Sequence, residues 1–208
     1  MFNMSKKRDF PPELSFKSGE ILECLNETKL LGIKLNSMLK WYSNTADIYK
    51  KSMGRMWLLR RMKNLNLEPD LIFDYYLKEI RPLTEQGVVV WNSGLTISQV
   101  SKLERIQKVA LTIILGAKYS NYEVACKYFN ISKLSSRREQ LCANYAVKLY
   151  LSPRCDEFFT RKTGVGRNSG TLVKENTART TRCHNAPHNY LARLVNKNIE
   201  KIRRKQRH

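Results

Sequence analysis

Joining nucleotides into a chain needs closely placed carboxylates to hold a pair of Mg²⁺ ions. The sequence contains five aspartates, Asp9, Asp47, Asp70, Asp74 and Asp156, and no two are adjacent. Asp70 and Asp74 are four apart and would share a helix face. Pro69 opens that helix, and acidic side chains near a helix start complement its dipole. Both are therefore assigned to ordinary helix surface. Cys155, Cys183, His184 and His188 could be read as four zinc ligands. His184-x-x-x-His188 has zinc-site spacing, but Cys155 and Cys183 do not match the paired-cysteine half, and Pro187 stands between the histidines. The favoured reading is loop residues without metal. Gly164-x-Gly166 lacks the further glycine spacing, the Lys and the strand–helix context of a phosphate loop, and reads as a flexible linker. The three histidines do not assemble a nucleophile–base arrangement. No residues are assigned to catalysis, and no cofactor is expected.

The chemistry that does stand out is charge. There are 38 Lys and Arg against 18 Asp and Glu, a formal net charge of +20. Such an excess suits a polyanion, because Lys and Arg displace counterions condensed on phosphates. Residues 152–208 carry 14 basic and 4 acidic groups, half of the net charge. Two groups are the candidates for nucleic-acid binding: Lys50, Lys51, Arg55 and Arg61, and the terminal Arg203, Arg204, Lys205 and Arg207. Five widely spaced cysteines give no disulfide framework and point to a reducing compartment. No apolar run approaches the ~20 residues of a membrane span, and no apolar core follows the charged first residues. The expectation is an intracellular protein, nuclear or cytoplasmic, with no membrane partner.

The elements that must position these residues begin with β structure. Leu14–Phe16, Ile21–Leu25 and Lys29–Leu35 are short apolar runs separated by polar, turn-forming residues. They predict a hairpin or three-stranded piece. Helical periodicity starts near Trp41 and predicts a helix over 42–64. Trp41, Ala46, Ile48, Tyr49, Met53, Met56, Trp57 and Leu59 fall on one half, and the four basic residues on the other. The aromatic residues, Trp57 among them, could stack bases, but their helical spacing on apolar faces favours reading them as core. A second helix should start at Pro69 and be kinked or interrupted by Pro82. Val88–Trp91 is wholly apolar and should be buried. Thr96-x-x-Gln99, Ser120-x-x-Glu123 and Ser136-x-x-Glu139 have capping-box spacing and should open three more helices. Gly116 should end the first of these, and the last should stop before Pro153. Residues 152–188 look irregular. Tyr190 to Ile202 suggests a final amphipathic helix running into a frayed basic tail. The fold class is mainly α. Residues 1–36 form the β piece, 37–151 a helical domain, and 152–208 a basic linker, helix and tail.

Several strings together resemble one family. Lys29-Leu-Leu-Gly-Ile33 followed by Leu39-Lys-Trp41 is similar to the segment that follows the palm in non-LTR (LINE-type) retrotransposon reverse transcriptases. Trp57-Leu-Leu-Arg-Arg-Met62, Ile80-Arg-Pro82 with Glu85 and Val89-Val-Trp91-Asn92, Leu103-Glu-Arg-Ile-Gln-Lys108 through Gly116, and Arg137-Arg-Glu-x-Leu-Cys142 resemble later segments of that family, in the same order. The resemblance covers residues 29–142. It implies that the strand containing Leu31 and Gly32 sits where the family has a primer-grip hairpin, so these two are the primer-grip-like residues, followed by a thumb-like helical bundle that holds a template–primer duplex. The family's aromatic-x-Asp-Asp palm motif, which carries the Mg²⁺, does not occur in the 208 residues. Gly87 also departs from the family pattern. The resemblance therefore implies a truncated, non-catalytic C-terminal part of an RNA-directed DNA polymerase, whose partners are nucleic acid and the missing palm and fingers. The alternative is a stand-alone basic nucleic-acid-binding or interaction protein built on the thumb helices.

Overall fold

The computed structural model describes residues 25–162 and 172–206. The apolar runs at 14–16 and 21–25 lie outside these residues, except for Leu25. Two strands of the expected β piece are described. Lys29–Leu35, read above as one run, is divided: β1 (Glu27–Leu30) pairs antiparallel with β2 (Ile33–Asn36), Leu30 opposite Ile33 and Glu27 opposite Asn36. The turn is Leu31-Gly32, with φ of 48° and 85°. A two-residue hairpin loop takes positive φ at both positions because that twist matches the strands. Gly32 adopts it freely, whereas Leu31 does so against a side-chain penalty.

The hairpin is held at two ends. Near its base, Ser43 Oγ donates to Glu27 (2.8 Å) and the Lys34 amide donates to Asn44 Oδ1 (3.2 Å). Asp47 binds Lys51 at 2.6 Å and Lys34 at 3.7 Å. The hydrogen bond from Lys51, with the charges of Lys51 and Lys34, holds the Asp47 carboxyl below the ordinary carboxylate range. A depressed carboxyl contributes stability that is present at neutral pH and is lost as pH falls through its folded value. At the apex, Gln86 Nε2 donates to the Leu31 carbonyl at 3.1 Å. Gly87 has φ of 60°, and a Cβ there would collide with Ile33. A glycine is thus required where the hairpin crosses the helical body.

Helix α1 (Tyr42–Asn64) matches its predicted span. Its buried stripe is Trp41, Asn44, Thr45, Ile48, Ser52, Met56 and Leu59. Three of these are polar, so the stripe is rotated from the one that apolar residues alone define. Ala46 and Trp57, expected inside, are exposed. Helix α2 (Pro69–Tyr75) starts at its proline and continues through a π-helical turn (Tyr76–Ile80) into α3 (Arg81–Glu85). Pro82 lacks an N–H and crowds the preceding turn; the widened turn accommodates it, so the helix changes type instead of breaking. Of the next apolar run, α4 (Val88–Trp91), Val88 and Trp91 are buried, but Val90 is 40% exposed. A single turn cannot bury four consecutive side chains.

Helix α5 (Ile97–Leu115) opens with the expected box: Thr96 and Gln99 cap each other reciprocally, and Gly116 ends the helix. Leu103, Ile106, Ala110, Leu111 and Ile114 meet α1 along its length and close the main core with Ile72, Tyr76 and Ile80. The other two boxes are not made. Helix α6 (Tyr122–Tyr128) is capped by Asn121, whose Oδ1 accepts from the Val124 amide (2.9 Å), and Glu123 pairs with Lys133. Helix α7 (Leu134–Leu151) begins before Ser136 and is capped from another helix. Glu104 on α5 accepts from the amides of Leu134 and Ser135, both at 2.9 Å, and from the Tyr122 hydroxyl. One turn along, buried Gln107 accepts from the Tyr76 hydroxyl (2.8 Å) and donates to Tyr122 Oη and Ser132 O (both 3.0 Å). Burial, and for Tyr122 also Glu104, pushes both phenol pKa values far up.

The C-terminal segment is less irregular than its composition suggests. Helices α8 (Cys155–Phe158), α9 (Thr181–His184), α10 (Pro187–Lys197) and α11 (Ile199–Gln206) follow, with a bridge between Arg161 and Val173. Ala146, Val147 and Tyr150 of α7 form a second core with Leu191, Ala192, Val195 and Ile202. The expected single last helix is interrupted at Asn198, which bonds back to the Leu194 carbonyl, and restarts. Arg203 to Gln206, the first part of the expected tail, belongs to α11, and Arg207 and His208 lie outside the described residues. No helix among the described residues is long and apolar enough to cross a membrane.

Glu104 joins α5, α6 and α7, so Glu104→Ala should lower unfolding free energy by ~3 kcal/mol, the scale of losing charge-assisted bonds and leaving donors unpaired. Glu104→Gln, which keeps one acceptor, should cost less. Urea denaturation followed by circular dichroism measures both; equal stability of Glu104→Ala and the parent would show that the carboxylate holds nothing.

Candidate nucleic-acid interface

The outer face of α1 is built by the rotation of its core stripe. At ~100° per residue, Lys50, Gly54, Trp57 and Arg61 fall together opposite the buried line. Trp57 is 62% exposed, and the Arg61 guanidinium lies 5.8 Å from its ring centroid. This distance is that of a cation–π contact. Arg60 is also exposed. Among the described residues no carboxylate pairs with Lys50, Arg60 or Arg61. A Cβ on Gly54 would meet nothing within 4 Å. Glycine costs about 1 kcal/mol relative to alanine inside a helix, and no packing demand requires it there.

The four basic residues singled out on α1 thus divide. Lys50 and Arg61 are on this face. Lys51 is held by Asp47, and Arg55 binds Glu79 through its carboxylate (3.0 Å) and its backbone carbonyl. Lys51 and Arg55 lie toward the edge of the packed side, where they reach carboxylates of this chain. Of the terminal group, Arg203 is exposed on α11 and Arg204 and Lys205 belong to the same helix; Arg207 lies outside the described residues. Leu31 is 86% exposed at the hairpin apex beside Leu30 at 59%. It offers an apolar tip, with the Gly32 turn fixed from below by Gln86.

Other candidates are placed elsewhere. Asp74 pairs with Lys78 at 2.6 Å, and Asp70 is exposed in the first turn of α2, both as helix surface. Cys155 is fully buried in the second core, whereas Cys183, His184 and His188 are exposed. His188 meets Asn176 (3.2 Å) and His184 meets Asn185 (3.1 Å). No group of three or more His, Cys, Asp or Glu is arranged to hold a metal among the described residues.

No family model matches the chain, and no curated protein or solved structure matches it significantly. The site must therefore be judged on its own chemistry. A basic helix face with an exposed tryptophan offers point charges for phosphates and a flat surface for a base or sugar. Sequence reasoning assigned Trp57 to the core instead of to base stacking because it counted only apolar residues as buried. It also missed the pairing of Arg81 and Arg137 through Glu85, in which Glu85 and Arg137 are 52 residues apart. The available signal for Trp57 was its central position among Lys50, Arg60 and Arg61.

Thiol reactivity tests the placement of the cysteines. Burial pushes the Cys142 thiol up to about 11 and raises Cys126 and Cys155 as well. Cys183 is the exposed one of the four described cysteines. With Cys24 replaced by Ser, a native chain should react rapidly with one equivalent of a thiol reagent and with four after denaturation. Fast reaction of two or more native thiols would contradict the cores described above.

Proposed function

We propose that this chain is the thumb-like, post-palm part of a LINE-type reverse transcriptase and holds a template–primer duplex without catalysing its extension. The observation that carries this reading is the outer face of α1. Lys50, Arg60 and Arg61 surround an exposed Trp57 on a helix whose opposite side is packed rigidly by Ile48, Met56 and Leu59. A rigid helix presents its charges in a fixed register along a backbone, whereas a charged tail adds only diffuse attraction. The resemblance noted above supplies the template–primer assignment, and the net charge of +20 supports a polyanion in general. The five aspartates lack the adjacent pairing that metal-dependent nucleotidyl transfer uses, so the reading assigns no chemistry to these residues.

A stand-alone nucleic-acid-binding protein is favoured by one feature. Among the described residues the hairpin is anchored on the helices themselves, by Asn44, Asp47 and Gln86. Genomic sequence with an in-frame or decayed Asp-Asp palm motif upstream would select the polymerase reading, and its absence the stand-alone one.

The binding test uses one duplex with a short single-stranded overhang, titrated at several salt concentrations. Reversing Lys50 and Arg61 to Glu should weaken binding and lower the salt slope by ~0.9 for each duplex-DNA phosphate that is no longer neutralised. Trp57→Ala should weaken binding by ~1–3 kcal/mol where a base stacks on the ring, with little change in salt slope. Circular dichroism should show helicity retained. Unchanged affinity and slope in the Lys50, Arg61 reversal would remove this face from the function. Lys51→Glu and Arg55→Glu are unsuitable probes, since each places like charges against Asp47 or Glu79. With template, primer, nucleotides and Mg²⁺, the purified chain is expected to give no extension above a mock preparation.

A further inference from the structure

Between α3 and α7 lies a small cavity of about 140 Å³, lined by Arg81, Gln107, Asn130, Ile131, Ser132 and Arg137. We propose that this cavity is a binding site for a single phosphoryl oxyanion, gripped by Arg81 and Arg137. Both arginines approach the same oxygen of Glu85 through Nε, Arg81 at 3.3 Å and Arg137 at 3.2 Å. Two guanidinium groups on one carboxylate leave a net positive charge. Among the described residues no hydrogen bond engages the terminal nitrogens of either. Glu85 thus orients the pair while leaving the forked ends, the part of arginine that matches phosphate geometry, without a partner. The groups are partly withdrawn from water, with side chains 25% and 33% exposed. They lose less to solvent screening than the surface lysines.

The rest of the lining fits an anion. Asn130 and Ser132 are at the rim, and no side-chain hydrogen bond occupies either among the described residues. Their amide and hydroxyl can donate. Asn130 takes φ of 50° at the end of the α6 turn, which sets its backbone beside the opening. Gln107 forms the floor with both ends already bonded, so it closes the cavity without competing for the guest. Among the described residues no carboxylate lines the cavity. The volume is below the ~300 Å³ of pockets that enclose a small organic ligand, so the guest is an isolated phosphate group and not a whole nucleotide. That group is either free phosphate or one phosphate of a nucleic-acid backbone. The second source rests on the nucleic-acid reading above; the first does not.

Two probes distinguish the sources. In the first, inorganic phosphate is added to the full chain while the Nε–Hε resonances of Arg81 and Arg137 are followed by NMR, and the Arg81→Gln and Arg137→Gln variants are titrated in parallel. Both resonances should shift saturably, and each variant should bind phosphate at least about tenfold more weakly, the scale of one hydrogen bond to a charged group. In the second, the same variants are titrated with the duplex, where each should lower the salt slope by ~0.9 if a backbone phosphate sits there. Arg137→Lys keeps the charge but loses the fork, so it should also weaken binding, and it guards against misfolding of the Gln variants. Phosphate shifts with unchanged duplex binding assign the site to free phosphate. Weakened duplex binding with a lower slope assigns it to the backbone, even where the Lys50, Arg61 reversal has no effect. Resonances that do not move with phosphate, together with duplex binding unchanged in all three variants, would overturn the proposal.

Discussion

The arrangement of the helical body depends on one carboxylate placed against the start of another helix. The first amides of α7 have no partner within their own helix, and its N-terminus carries a partial positive charge. Glu104 supplies both acceptor and charge from α5, and its Tyr122 contact draws α6 to the same point. Gln107, three residues later on the same face, extends the network to Tyr76 and the Ser132 carbonyl. Satisfied polar groups in a low-dielectric interior are directional, and apolar packing is not. The apolar residues of α5 therefore decide that α1 and α5 pack, and Glu104 and Gln107 decide where α6 and α7 sit relative to them.

That placement has a functional consequence. With α7 fixed at its first turn, Arg137 reaches Glu85 on α3 and meets Arg81 there. Arg138, the next residue, turns inward, is 1% exposed, and gives its Nε to Asn92 at 3.1 Å. Burial lowers its pKa. Adjacent arginines thus serve opposite ends: one holds α7 to the turn after α4, and the other contributes to a basic cavity. The hairpin is positioned through the same region, because Gln86 and Gly87 follow Glu85 directly and carry its apex. The exposed Leu31 tip, the cavity and the anchoring turn are therefore parts of one stretch of structure.

The outer face of α1 is a product of the opposite side. Asn44, Thr45 and Ser52 are buried beside Ile48, Met56 and Leu59, which turns the helix so that Trp57 points away from the core. Thr45 donates to the Trp41 carbonyl at 2.8 Å and Asn44 Oδ1 receives the hairpin amide, whereas Asn44 Nδ2 and Ser52 Oγ are buried with no hydrogen-bond partner among the described residues. The interior holds these polar residues at the cost of two unpaired groups, and the surface receives an aromatic one. Lys51 and Arg55, at the margins of that face, are drawn into ion pairs with Asp47 and Glu79 because they lie near the seam with neighbouring elements.

Local signals in the sequence were enough for the helical class, for α1 and α5 nearly to the residue, for the Pro69 and Gly116 boundaries and for a basic surface. These depend on period, caps and backbone limits that operate over a few residues. The third apolar run was legible as β structure, but its turn at Leu31-Gly32 was not, since leucine is not a residue that positive φ favours. Ser136-x-x-Glu139 had the spacing of a cap and did not act as one, because a carboxylate 30 residues before Leu134 was better placed. The candidate interface was legible only in part: Lys50 and Arg61 could be named from the wheel, but not the loss of Lys51 and Arg55 to ion pairs. Composition and periodicity determined that the chain is mainly helical and basic, and which residues carry its charge. Which of those charges face solvent, which are tied down, and which meet across 52 residues at Glu85 was decided by tertiary structure. The reason is that ion pairs and hydrogen bonds form between groups close in space, regardless of their distance along the chain.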